Sequence, residues 1–119
     1  MSRIDAINAS TFVLIKQYNM LSLLKKIFGL GPSVDLHELI RQGAKIVDVR
    51  TPAEYKQGHV KGSINLPLQT LSSNLNKLKK DDVIVTCCAS GMRSGAAKRL
   101  LKGQGFINVH NGGTWMGLS

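Results

Sequence analysis

Val83-Ile84-Val85-Thr86-Cys87-Cys88-Ala89-Ser90-Gly91-Met92-Arg93-Ser94-Gly95-Ala96-Ala97-Lys98-Arg99-Leu100-Leu101 is the stretch that decides the fold. Val83 to Val85 is a β-branched run and reads as a buried strand. Cys88 to Arg93 is a short polar turn that contains Gly91. From Ser94 onward, Ala96, Ala97, Leu100 and Leu101 recur at helical spacing, with Lys98 and Arg99 between them. A cysteine therefore stands at the carboxyl end of a strand, on a loop that feeds a helix N-terminus.

That placement has chemical consequences. A helix N-terminus carries unpaired N–H groups and a partial positive charge, so it stabilises an anion. A cysteine there is expected to have a lowered pKa, and the thiolate is its reactive form. Gly91 lets the backbone curl into an anion-binding nest, and Arg93 adds a full positive charge. The adjacent Cys87 still belongs to the strand, so its side chain is expected on the opposite face, in the core, with protection or resolution of an oxidised Cys88 as the lesser alternative. Ser94 is the expected cap of the loop helix. Ala89 and Met92 are expected at the rim.

Working outward, strands and helices alternate. Upstream, Asp35 is an N-cap for a helix over Leu36 to Gln42, with Glu38 completing a capping-box-like pair. Lys45 to Arg50 reads as a strand, and Pro52 to Gln57 as a short helix opened by its proline. Gly58 to Gly62 is a turn, and Ile64 to Leu68 a strand that ends near Pro67. Leu71, Leu75 and Leu78 share one face of an expected helix. Downstream, Phe106 to Val109 is a last strand, and Trp115 is expected to close the core. This alternation predicts an α/β domain, a mostly parallel central sheet with helices on both faces. Sites in such sheets lie at the carboxyl ends of strands, where Cys88 stands.

Composition narrows the classes. The chain has 119 residues, which is the length of one domain, and 43% of them are hydrophobic, enough for a core. No apolar run reaches the ~20 residues of a membrane span, and no signal-peptide pattern opens the chain, so a cytoplasmic setting is expected. The two cysteines are adjacent, which disfavours a disulfide scaffold. No Cys/His cluster has zinc spacing, so no metal is expected. The net charge of +9 is spread along the chain in short clusters. It reads as a solvated surface that also favours small anions. With aromatics at 5%, no aromatic-rich basic face argues for nucleic acid.

Residues 1–32 read as an N-terminal extension, and 33–119 as the domain. Met1 to Asn19 has weak periodicity. It leaves open an upstream start, a leader or an extra helix, with Met20 as an alternative natural start. Leu21, Leu24 and Phe28 form one face of a short amphipathic helix, expected to pack on the domain or on a second copy as a weak dimer. A membrane-surface role is the lesser alternative for so short a segment.

The residues resemble those of the rhodanese-like sulfurtransferase family. Cys88-Ala89-Ser90-Gly91-Met92-Arg93-Ser94 fits its C-x-x-G-x-R-S loop. Asp48-Val49-Arg50, Glu54-Tyr55 and Gly58-His59-Val60-Lys61-Gly62-Ser63-Ile64-Asn65-Leu66-Pro67 are similar to its upstream signature, in the same order. The resemblance covers roughly Val34 to Trp115. It implies an α/β rhodanese fold and, with no cofactor, transfer of a sulfane sulfur through a persulfide on Cys88. The donor would be a small anion such as thiosulfate, and the acceptor cyanide, a thiol or a protein cysteine.

In that scheme residues 89–94 hold the persulfide, and Arg93 holds an anionic substrate or stabilises the loop. Asp48 and Arg50 pair at the edge of the site. Glu54 and His59 tie the short helix to the following turn, with His59 as a base only a minor alternative. Phosphatase and arsenate-reductase relatives have a longer C-x5-R loop, whereas Cys88 to Arg93 is C-x4-R. Counting from Cys87 would restore the longer spacing, but Gly91 fits the pattern only from Cys88. A non-catalytic binding or regulatory module and a phosphatase-like use of the thiolate are the alternatives. Against the first stands the intact cysteine.

Overall fold

A strand with two partners has to be apolar on both faces, and Val83–Cys88 (β3) meets that demand: it is buried from Ile84 onward. The computed structural model describes residues 34–119. The expected helix around Leu21 to Phe28, and the dimer assigned to it, lie outside the described residues.

β3 pairs in parallel with Lys45–Asp48 (β1) on one side and Asn108–Thr114 (β4) on the other. β1 pairs in parallel with the two-residue Ile64–Asn65 (β2), giving the four-stranded order β2-β1-β3-β4. The sheet is fully parallel, as expected of alternating elements. Leu36–Arg41 (α1), Pro52–Gln57 (α2), Met92–Gly103 (α3) and Trp115–Leu118 (α4) are the α-helices among the described residues.

Two apolar clusters cover the two faces. Ile84 and Cys88 of β3 pack with Val47, Leu66, Leu71, Leu78, Phe106 and, from α3, Ala97 and Leu101. Val85 and Cys87 face the other way, against Ile46, Val60 and Leu118, with Leu36, Ile40 and Trp115 alongside. Alternation along β3 thus sends its two cysteines into different cores.

The caps explain several boundaries. Asp35 accepts the Glu38 N–H at 3.2 Å, but the Glu38 carboxylate turns to Arg41 and Gln42, so the capping box expected there is not completed. A full capping box forms instead at α2. Thr51 Oγ1 accepts the Glu54 N–H, and Glu54 Oε1 accepts the Thr51 N–H.

Four expected elements are corrected. Leu71, Leu75 and Leu78 do not share one α-helix. They lie along two 3₁₀ turns, Leu68–Ser73 and Leu75–Lys77. Between them Asn74 has φ −123 and ψ 18, and its side chain donates to the Thr70 carbonyl. Asn competes in this way with α-helical bonding, and only the step of three from Leu75 to Leu78 suits the tighter turn. The β2 strand stops at Asn65, whose Nδ2 donates to the carbonyls of Asp48 and Arg50, and Pro67 brings no N–H to a ladder. β1 ends at Asp48 because the Asp48 carboxylate accepts the Arg50 N–H and bends the chain.

The last strand was expected over Phe106 to Val109; it is Asn108–Thr114, starting later and running on through Gly112 and Gly113. An irregularity opposite Thr86 and Cys88 brings β4 close to β3 at Gly112. A Cβ there would lie 2.7 Å from both the Thr86 carbonyl oxygen and Val85 Cγ1, so only glycine fits. Phe106 enters the core just before the strand, whereas Ile107 stays exposed.

Candidate active site

Cys88 is the last residue of β3, and the chain turns at once into α3. The turn depends on Gly91, which sits at the helix N-cap with φ 97, a conformation that other residues rarely adopt. Ser94 is therefore not the cap. It lies inside the first turn of α3, fully buried beneath the loop.

This geometry wraps donors around a sulfur. The Gly91 N–H donates to Cys88 Sγ at 2.9 Å, and the Ser94 N–H at 3.4 Å. Ser94 Oγ lies 3.5 Å from the same sulfur. Burial by itself pushes the Cys88 thiol up. The Ser94 hydroxyl and the N–H groups of Ser94, Gly91 and Ser90 together outweigh it and hold the pKa below the ordinary thiol value. Cys87 has no such donors. Burial, and then the Asp48 carboxylate, push its pKa up to about 12, against the pull of Arg50.

Arg93, expected to hold an anionic substrate or to stabilise the loop, faces a carboxylate of this chain. Its guanidinium grips Glu54 with both arms, Nη1 to Oε1 at 2.7 Å and Nη2 to Oε2 at 2.9 Å. The Arg93 hydrogen bonds, followed by the Thr51 N–H, bring the Glu54 pKa down to about 2. Glu54 was expected to tie α2 to the turn after it. It ties α2 to the cysteine loop instead. Arg93 also borders a shallow surface pocket with Val49, Thr51, Pro67, Leu68 and Gln69.

The remaining expected residues form a supporting layer. Arg50 is buried on Asp48, with Nη2 to Oδ2 at 2.8 Å and Nε on both carboxylate oxygens. It also donates to the carbonyls of Glu54 and Gly58 and lies 4.5 Å from the centre of the Trp115 ring. Asp48 and Arg50 thus bind β1, α2 and the following turn into one piece. Trp115 is only half-buried, and Leu118 fills the core position beneath it. His59 is exposed. Its Nδ1 meets the Tyr55 carbonyl at 2.8 Å and its ring stacks on Tyr55, so its contacts link turn and helix. Ala89, Ser90 and Met92 are exposed around the loop, Met92 at 81%.

Two contributors were missed by the sequence reading. Thr51 was legible, because a threonine three residues before a glutamate marks a capping box. Asn111 was not. It reaches Ser94 and the loop from β4, and nothing in its local sequence connects it to either. Among the described residues, no cluster of three or more His, Cys, Asp and Glu side chains could hold a metal ion, and no helix is long and apolar enough to cross a membrane.

A thiol cradled by backbone N–H groups stands at the carboxyl end of a central strand of a parallel sheet, where α/β domains place their sites. The chain belongs to the rhodanese-like domain family, whose model matches residues 33–113. It is 38% identical over 69 residues to the thiosulfate sulfurtransferase PspE of Escherichia coli, covering 56% of this chain and 66% of PspE. It is 31% identical over 80 residues to the thiosulfate sulfurtransferase GlpE of Pseudomonas syringae, covering 67% of this chain and 76% of GlpE.

The human single-domain sulfurtransferase TSTD1 superposes with a TM-score of 0.62 at 28% identity, over 69% of this chain and 88% of that one. PspE is spanned over less than two thirds of its length, and other curated relatives over as little as 38%. The relatives place the chain in a family that includes sulfurtransferases.

Proposed function

We propose that the protein is a sulfurtransferase in which Cys88 carries the sulfur. The Cys88 thiolate attacks the outer sulfur of a small anionic donor such as thiosulfate. The S–S bond of the donor breaks, sulfite leaves with the bonding pair, and Cys88 becomes a persulfide anion. A nucleophilic acceptor (cyanide, a thiol or a protein cysteine) then attacks the outer sulfur, and the Cys88 thiolate returns with its electron pair. The two displacements balance without oxidant, metal or cofactor. A cytoplasmic setting, where thiols stay reduced, suits this chemistry.

The observation that carries the reading is the ring of donors at Cys88 Sγ, the N–H groups of Gly91 and Ser94 above all. Residues 89–94 form a short loop whose N–H groups can follow negative charge from the inner to the outer sulfur, the logic of an oxyanion hole. Arg93 supports the loop through Glu54 and keeps a positive charge beside the incoming anion. Asp48, Arg50 and His59 hold the surrounding frame.

Intact mass before and after thiosulfate tests the reading. Wild type and Cys87→Ser should gain the mass of one sulfur atom, lost again on adding cyanide, and Cys88→Ser should gain nothing. Wild type with free thiols and no gain from thiosulfate or other sulfane donors would refute it.

A further inference from the structure

The Ser94 hydroxyl has one proton and more neighbours than it can serve. Its Oγ lies 2.6 Å from Asn111 Oδ1, 3.0 Å from the Gly91 carbonyl oxygen and 3.5 Å from Cys88 Sγ. A hydroxyl donates once and otherwise accepts. The orientation of the Asn111 amide follows from its partners. Gly113 N–H donates to Oδ1 at 2.9 Å, and Nδ2 donates to the Gly91 carbonyl at 3.3 Å. Turning the amide over would set two donors together at Gly113 and two acceptors together at Gly91. Oδ1 therefore faces Ser94, and two oxygens 2.6 Å apart need the hydroxyl proton between them. While that bond stands, Ser94 offers Cys88 only lone pairs, which accept the S–H of the neutral thiol.

We propose that Asn111 is a positioning residue that holds the Ser94 hydroxyl away from an uncharged Cys88 sulfur and releases it when the sulfur becomes anionic. This rests on the reading of Cys88 as the nucleophile. On ionisation the hydroxyl rotates to donate to the thiolate, and Asn111 Oδ1 keeps its Gly113 N–H. When charge moves to the outer sulfur of the persulfide, the inner sulfur is neutral and the hydroxyl turns back to Asn111. Asn111 thereby favours the thiol and the persulfide over the free thiolate.

The hydrogen bonds of Asn111 go to Ser94, Gly91 and Gly113, and not to the charged and titratable groups around Cys88. Those groups are the Arg93–Glu54 pair from α3 and α2, the Asp48–Arg50 pair from β1, and Cys87; Arg99 of α3 borders Gly95 on the side of the Asn111 amide. His110, next to Asn111 on β4, has its Nε2 on Asn108.

The pH dependence of iodoacetamide alkylation, followed by intact mass on the full chain, reads the Cys88 thiolate, and Cys88→Ser serves as the blank. Wild type, Asn111→Ala, Ser94→Ala and the double variant are compared. Asn111→Ala should move the midpoint down and speed alkylation on the acid side about threefold, the size of one redirected hydrogen bond. Ser94→Ala should move the midpoint up, and adding Asn111→Ala to it should change nothing more.

Equal shifts in both backgrounds would mean that Asn111 only shapes the loop. No shift, or a rise, from Asn111→Ala alone would mean that it does not hold the hydroxyl. Either result overturns the proposal. Should Asn111→Ala fail to fold, Asn111→Asp keeps the shape and strengthens the acceptor. It should raise the midpoint, less so with Ser94→Ala, and equal rises would overturn the proposal. No sulfur donor is present, so the outcome is independent of whether thiosulfate loads the protein.

Discussion

Cys87 and Cys88 are neighbours in sequence and equally shielded from water, yet the two faces of the sheet make them opposite in chemistry. On the Cys87 face the nearest charges are Asp48 and Arg50, already committed to each other, and the thiol is held neutral. On the Cys88 face the chain turns back over the sulfur and aims N–H groups at it. Burial raises both pKa values, and only the second face supplies enough hydrogen bonds to reverse the effect. Hiding a thiol does not activate it. Donors placed around it do.

The comparison can be broken most directly by exchanging which thiol remains. Cys88→Ser should abolish iodoacetamide labelling near neutral pH, and Cys87→Ser should leave it intact. Fast labelling that followed Cys87 would invert the assignment. Next in size is the frame beside Cys87. Arg50→Met leaves Asp48 buried without its cation, and urea unfolding should show a loss of about 3–5 kcal/mol. A change under 1 kcal/mol would mean that water or another cation replaces Arg50.

Smaller is the effect on the donor face. Ser94→Ala should slow Cys88 alkylation at pH 6 roughly tenfold, in keeping with loss of one charge-assisted hydrogen bond. An unchanged rate would leave the backbone N–H groups as the whole cause. Smallest is the outer pair of Glu54 and Arg93. The folded pKa of Glu54 is lowered from 4.5 to about 2, so its contribution is present above the upper value and lost as pH falls through the lower one. Wild type should therefore lose more stability than Glu54→Gln between those two values, as followed by thermal melting. Parallel acid limbs would show that the pair adds nothing.

The sequence made the fold legible where pattern and chemistry agreed. The β-branched run of β3 needs burial on both sides, and the turn glycine and helical spacing after it allow few other arrangements. Pro52 and Gln57 bound α2 as read, because proline at a first turn has one common meaning. Where two local preferences competed, the reading failed. Leu71, Leu75 and Leu78, four and three apart, fit a helical stripe, and the break at Asn74, whose side chain bonds the Thr70 carbonyl, is not visible in that spacing. Gly112 and Gly113 look like a loop until a neighbouring strand is laid beside them. In the site, the loop itself was readable, being contiguous. The commitment of Arg93 to Glu54, and the reach of Asn111 to Ser94, come from residues 39 and 17 positions away, which no local pattern encodes.

Those separations give the thiol a timetable. Its loop is contiguous, but the contacts that hold the loop in shape come from α2 on one side in sequence and β4 on the other. Closing such distant contacts is the slow part of folding a parallel sheet. A chain still emerging or half-refolded should carry an ordinary, sluggish cysteine until the Gly91 and Ser94 N–H groups are held at Cys88 Sγ. Pulsed alkylation during refolding should show fast labelling at Cys88 rising in step with the final kinetic phase; labelling that precedes it would mean that the loop assembles on its own. Reactivity gained with folding would give the immature chain little chance to be oxidised or cross-linked before its core is sealed.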